Sequence, residues 1–156
     1  MMSTKAVSRS APSTVAVNTL VTSVLTVRTS GRGFVDLTRE VAGFLGQAGA
    51  REGAVTVFIR HTSASLTIME NADPSVLQDL ATALSRLAPE NAGWVHDTEG
   101  PDDMPAHIKT MLTSTSLQVP VRDGEMMLGT WQAIYLIEHR ARPHSREVVL
   151  QFIGAA

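Results

Sequence analysis

Alternation of apolar and polar residues, the two-residue period of a half-buried strand, marks both ends of this chain, and helical spacing fills the middle. Val15–Thr29 is rich in Val and Thr, and Val55, Val57 and Ile59 alternate with Thr56, Phe58 and Arg60. Ala64, Leu66 and Ile68 repeat the pattern, and further strands are predicted over Ser116–Val121, Glu125–Gly129, Trp131–Glu138 and Arg146–Ile153. Between them, Leu37, Val41, Phe44, Leu45 and Ala48 keep helical spacing, with Thr38 as the expected cap and Gly49 as the stop. The clearest helix begins at Asp73-Pro74 and carries Val76, Leu77, Leu80, Leu84 and Leu87 as its apolar stripe. A shorter helix is expected from about Met104 to Leu112, capped by Asp102 and Asp103. No regular β–α alternation joins these segments. The pattern therefore predicts an α+β domain with a mostly antiparallel sheet.

Several classes fall away on composition. At 156 residues the chain fits one domain and is too short for a TIM barrel, which takes about 250. It has no cysteine, so disulfides, thiolate nucleophiles and cysteine zinc sites are excluded, and any metal must rest on His, Asp or Glu. A net charge of −2 and the lack of a Lys/Arg run give no footprint for nucleic acid. The longest apolar run, Ala133–Ile137, is far too short to span a bilayer, so no membrane partner is expected. Charged residues make up 18% against 44% apolar, a balance that points to surface hidden by self-association. Residues 1–35 hold Lys5, Arg9, Arg28 and Arg32 but no acid, and 1–14 read as a disordered tail before a single domain over 15–156.

Three segments concentrate chemistry. His61 continues the buried row of Val55, Val57 and Ile59, and Glu70 continues Ala64, Leu66 and Ile68. A polar group in such a row must be satisfied, either as a hydrogen-bonded core residue or as part of a site. His96–His107 packs four carboxylates and two histidines into twelve residues with no local Lys or Arg to neutralise them. It reads as a solvated acidic loop or as a cation site. Trp131–Ile137 contains one strongly polar residue, Gln132, as expected of a strand covered on both faces, and Glu138, His139 and Arg140 follow together at its end. That trio is a strand-end salt bridge or a functional cluster.

Together, His61-Thr62-Ser63-Ala64-Ser65-Leu66-Thr67-Ile68, Glu70-Asn71-Ala72-Asp73-Pro74, His96-Asp97, Gly100 through Lys109, Gly129-Thr130-Trp131-Gln132 and Glu138-His139-Arg140 resemble the YjbQ family, also labelled secondary thiamine-phosphate synthase. The resemblance runs in order from about Asn18 to Gly154. It implies a β-sandwich-like sheet with two to three helices, a homotrimer, and a site built around His61, His96, His107 and His139. Three positions depart from the family pattern: Met69 for the usual Asn, Ala133 for Gly, and Thr113 for Gly.

On this reading His61, His96 and His107 hold a divalent metal with one position open, zinc first and magnesium with a diphosphate substrate, while Asp97, Asp102 or Asp103 orient the rings. Ser63, Ser65, Lys109, Gln132 and His139 are the expected contacts to a small anionic or phosphorylated ligand, and Arg140 steadies a leaving group. The implied reaction joins an aminopyrimidine diphosphate to a thiazole phosphate and releases pyrophosphate, in the cytoplasm. The alternatives are a metal-dependent hydrolase with Glu70 or Asp103 as base, and a non-catalytic trimer that binds a small anion or metal.

Overall fold

The computed structural model describes residues 6–156. In chain order the elements are β1 (Thr19–Arg28), β2 (Gly33–Asp36), α1 (Thr38–Gln47), β3 (Glu52–Ile59), β4 (Ala64–Glu70), α2 (Pro74–Leu87) and α3 (Asp103–Leu112). They are followed by β5 (Ser116–Arg122), β6 (Glu125–Met126), β7 (Gln132–Glu138) and β8 (Ser145–Ala155). The strands form a five-stranded sheet ordered β1-β8-β3-β5-β6 and a three-stranded sheet ordered β2-β7-β4. Every pairing is antiparallel.

The α+β, sandwich-like prediction matches this architecture. The core lies between the sheets: Val55, Val57, Ile59, Val148, Leu150 and Phe152 face Leu66, Ile134 and Leu136, and α1 closes one end with Val41, Phe44 and Leu45. Even-numbered residues of β7 (Ile134, Leu136, Glu138) share the core side, while Ala133, Tyr135 and Ile137 turn to the opposite face and are buried there too. The apolar run of β7 is thus explained by cover on both sides. The same alternation sends Glu138 and His139 to opposite faces of the sheet.

Helix ends follow local chemistry. Gly49, at φ +64°, ends α1 in a Schellman turn, with Gly49 N–H donating to the Gly46 carbonyl and Ala50 N–H to the Leu45 carbonyl. Thr38 is not the cap of α1. Its amide donates to Asp36 Oδ1 at 2.9 Å, and its hydroxyl accepts from the Ile134 amide at 2.9 Å, which ties the helix start to β7. Asp73 caps α2 by accepting from the Ser75 amide, with Pro74 in the first helical position. Strand β1 starts at Thr19 rather than Val15, and β6 is two residues long rather than running to Gly129. Residues 6–18 form no helix or strand, and the rest of the expected tail, 1–5, lies outside the described residues. No helix among the described residues is long and apolar enough to cross a membrane.

A candidate metal centre beside an arginine-lined cleft

Helix α3 organises the acidic segment. Asp103 opens it and His107 follows one turn later, so both project from the same face. Pro105 sits in the first turn, where its missing N–H costs nothing. His96 comes from the preceding loop. His96, Asp103 and His107 each present a ligand atom, all within 4.8 Å of one another. Asp103 is 1% exposed, whereas the two imidazoles reach solvent, so the carboxylate forms the floor and the rings form the rim.

A hydrogen bond places one ring proton. His107 Nδ1 is 2.7 Å from the Thr62 carbonyl oxygen, which can only accept, so Nδ1 carries a hydrogen. Its other ring nitrogen, Nε2, lies 3.3 Å from Asp103 Oδ2. The same oxygen accepts from His96 Nε2 at 2.7 Å. The His107 contact is satisfied by a second ring proton or by a cation held between the two atoms.

The cation absent from the local sequence arrives from far along the chain. Arg140 donates from Nη1 to Asp103 Oδ1 (2.8 Å), from Nε to Asp102 Oδ2 (3.1 Å) and from Nη2 to the Glu99 carbonyl (2.8 Å). Asp102 makes no side-chain cap on α3; its Oδ2 also accepts from the Ala141 amide at 2.8 Å. Burial works against the charge on Asp103, but the His96 hydrogen bond and the nearby His107 and Arg140 hold its carboxyl below the usual aspartate range. Asp102 is likewise held low against burial by the Ala141 amide and Arg140. Arg140 therefore positions the two aspartates, and its donors are committed. Beyond it opens a cleft of about 540 Å³ lined by Arg32, Glu90, Thr98, Asp102, Arg140 and Arg142.

His61 is not in this group. Its parity follows the core row, but β3 ends at Ile59, and His61 Nε2 accepts from the Glu147 amide at 2.8 Å. That bond uses the lone pair a metal would need. Ser63 belongs to a different network: its hydroxyl accepts from Arg146 Nη2 at 3.0 Å, and the same guanidinium grips Glu138, with Nε 2.8 Å from Oε1. Thr29 completes it with a 2.6 Å bond to Glu138 Oε1. Burial opposes the charge of Glu138, yet Arg146 and Thr29 keep its carboxyl below the usual range. Arg146 and Thr29 went unflagged in the sequence; the only available signal was the even parity that Arg146 shares with Val148, Leu150 and Phe152.

The other expected ligand contacts divide. Gln132 Oε1 accepts from the Gly129 amide at 2.8 Å and shapes the turn before β7, so its side chain serves the backbone. Ser65 and His139 meet on the outer face of the smaller sheet, Oγ to Nε2, at 2.8 Å, and Thr113, in place of the family's usual glycine, bonds Ser65 Oγ at 2.6 Å. Burial, with Lys109 nearby, lowers His139 to a pKa of about 4, so the ring is neutral. Lys109 is buried beside it, and burial followed by Arg32 lowers its pKa. Glu70 stands apart from the centre, half-buried, with Oε2 lacking a partner among the described residues.

A family described as UPF0047 protein YjbQ-like matches residues 23–155. The chain belongs to the YjbQ family. A UPF0047 protein of Synechocystis is 47% identical over 132 residues, covering 84% of this chain and 90% of that protein. The UPF0047 protein YjbQ of Salmonella typhimurium is 41% identical, covering 83% and 95%. Among solved structures, a YjbQ/UPF0047-family protein from Clostridium acetobutylicum superposes with a TM-score of 0.77 at 35% identity, covering 83% of this chain and 98% of that one. A hypothetical protein of Aeropyrum pernix reaches a TM-score of 0.80 at 29% identity, covering 86% and 99%. The matched region thus spans more than four-fifths of this chain and nine-tenths or more of each relative.

Proposed function

We propose that this YjbQ-family chain is a metal-dependent enzyme acting on a small phosphorylated substrate, with His96, Asp103 and His107 holding a divalent ion. The observation that carries this reading is the convergence of the His96, Asp103 and His107 ligand atoms within 4.8 Å, with His107 Nε2 turned toward Asp103 Oδ2. Two imidazoles and one carboxylate, open to solvent on one side, match the three-ligand set of catalytic zinc sites and favour zinc over magnesium. The ion would supply Lewis acidity toward a phosphoryl oxygen and offset negative charge that develops there.

The chain's own residues do the rest. Thr62 fixes the His107 tautomer, and Arg140 holds Asp103 from behind, as outer-shell partners of a metal site do. Arg32 and Arg142 bring positive charge to a cleft wide enough for a small phosphorylated molecule. Transfer is favoured over hydrolysis because Asp103, the base hydrolysis would call on, is committed to His96 and Arg140. The specific reaction we propose is thiamine-phosphate synthesis from an aminopyrimidine diphosphate and a thiazole phosphate. Pyrophosphate release by the zinc-loaded protein, dependent on both substrates, is the expected result. Orthophosphate from the diphosphate alone would assign a hydrolase, and no turnover would leave a binding protein.

We also propose a cytoplasmic homotrimer. Support for self-association comes from α2, whose stripe Val76, Leu77, Leu80, Leu84 and Leu87 includes no buried residue in the single chain. Leu80→Glu should lower the mass measured by light scattering from three chains to one; an unchanged mass would remove α2 from the interface.

A further inference from the structure

Beneath α2, on the face of the smaller sheet opposite the core, lies a second and much smaller cavity of about 50 Å³. Arg32, Gly33, Leu84, Lys109 and His139 line it. Lys109 is 6% exposed, and among the described residues it has neither a hydrogen-bond acceptor nor a carboxylate partner. A cation on a largely buried side chain with no direct partner is costly, and an anion bound beside it would offset that cost.

The surrounding charges do not cancel it. Arg32 adds a second cation and is itself paired with Glu90. Glu138 borders the cavity, but its carboxylate faces away and is held by Arg146 and Thr29. His139 is neutral, with Nε2 bonded to Ser65. Glu90 and Asp102 act on Lys109 only at a distance, Glu90 paired with Arg32 and Asp102 bonded to Arg140 and Ala141. At Gly33, φ is +155° and nothing lies within 4 Å of the place a Cβ would take, so the wall beside Arg32 is open.

We infer that Lys109 and Arg32 form a seat for a phosphoryl group under α2. Arg32 also lines the large cleft, so the seat adjoins the space assigned to the substrate body. The site deepens the proposed function, naming the group the substrate presents, but its binding does not require the metal. The seat shares no lining residue with the His96–Asp103–His107 centre.

The test measures binding of inorganic phosphate to the full chain by calorimetry, with EDTA present so that the metal plays no part. Binding should be at least tenfold weaker in Lys109→Met and in Arg32→Gln, and unchanged in Arg51→Gln, an exposed arginine that lines neither cavity. Lys109→Met should also raise Tm in phosphate-free buffer, because it removes the unpaired buried cation. Phosphate affinity equal to wild type in both Lys109→Met and Arg32→Gln would overturn the inference. So would affinity lost only in Arg142→Gln, in the large cleft. Arg32, whose side chain is 45% exposed, keeps the test valid if the lysine variant misfolds. Ethyl phosphate identifies the source: binding tighter than inorganic phosphate marks the end of a larger substrate, and weaker binding marks free phosphate. Both results keep the seat, provided the lysine and arginine variants abolish them.

Discussion

Two charged networks sit at the ends of β3 and β7, and they are built on opposite logic. In the first, Glu138, Arg146, Thr29 and Ser63 are all buried, and their donors and acceptors are matched. In the second, Asp103 is just as buried, but its histidine neighbours reach solvent and both turn a ring nitrogen toward the one carboxylate oxygen. A closed network fixes the packing of one sheet on the other. An open one, with converging ligand atoms and a route to solvent, is arranged for something that arrives later.

The contrast can be attacked from both sides. The largest stability effect should come from Glu138→Ala, which strands the Arg146 guanidinium in the core and should cost about 3–5 kcal/mol in urea denaturation. A loss under about 1 kcal/mol would mean the first network is as loose as the second. Next is the pH dependence of His139. Its folded pKa of about 4 lies below the unfolded value of about 6.5. The unfolded chain therefore binds a proton that the folded chain refuses, and stability falls as pH drops from about 6.5 toward 4. The expected loss is on the order of 3 kcal/mol across that window, and His139→Gln should remove most of it. A wild-type and variant pair with equal slopes would contradict the assignment. The carboxylates held low, Glu138, Asp102 and Asp103, act in the opposite range, losing their contribution as pH falls below about 4.

Arg140→Gln sharpens the second half of the comparison. It removes a partner standing behind Asp103 and should weaken zinc affinity by about 10- to 100-fold. Unaltered affinity would separate Arg140 from the centre. The smallest effect belongs to Ser63→Ala, about 1 kcal/mol in denaturation midpoint with no change in zinc affinity.

How much of this was legible in the sequence follows from the range of each interaction. Asp73-Pro74 announces α2, and Gly49 ends α1, because caps and stops are written within a few residues. Burial of β7 on both faces is legible in its unbroken apolar run. The histidine pair of the acidic segment was also visible. Its partners were not: Arg140 lies 37 residues from Asp103, and sequence spacing says nothing about which distant cation will neutralise a local cluster. His61 shows the limit of parity, which predicts the side a residue faces but not where the strand stops. Asp103, expected as a base, a cap or an acceptor orienting a ring, forms the floor of the centre, its carboxylate bonded to Arg140 and His96.

The most direct test is zinc content of the purified chain, compared across wild type, His107→Ala and His61→Ala. About one zinc per chain in wild type and in His61→Ala, with none in His107→Ala, is the predicted result. Zinc retained after loss of the His107 ring, or absent from the wild-type protein under saturating zinc, would contradict it.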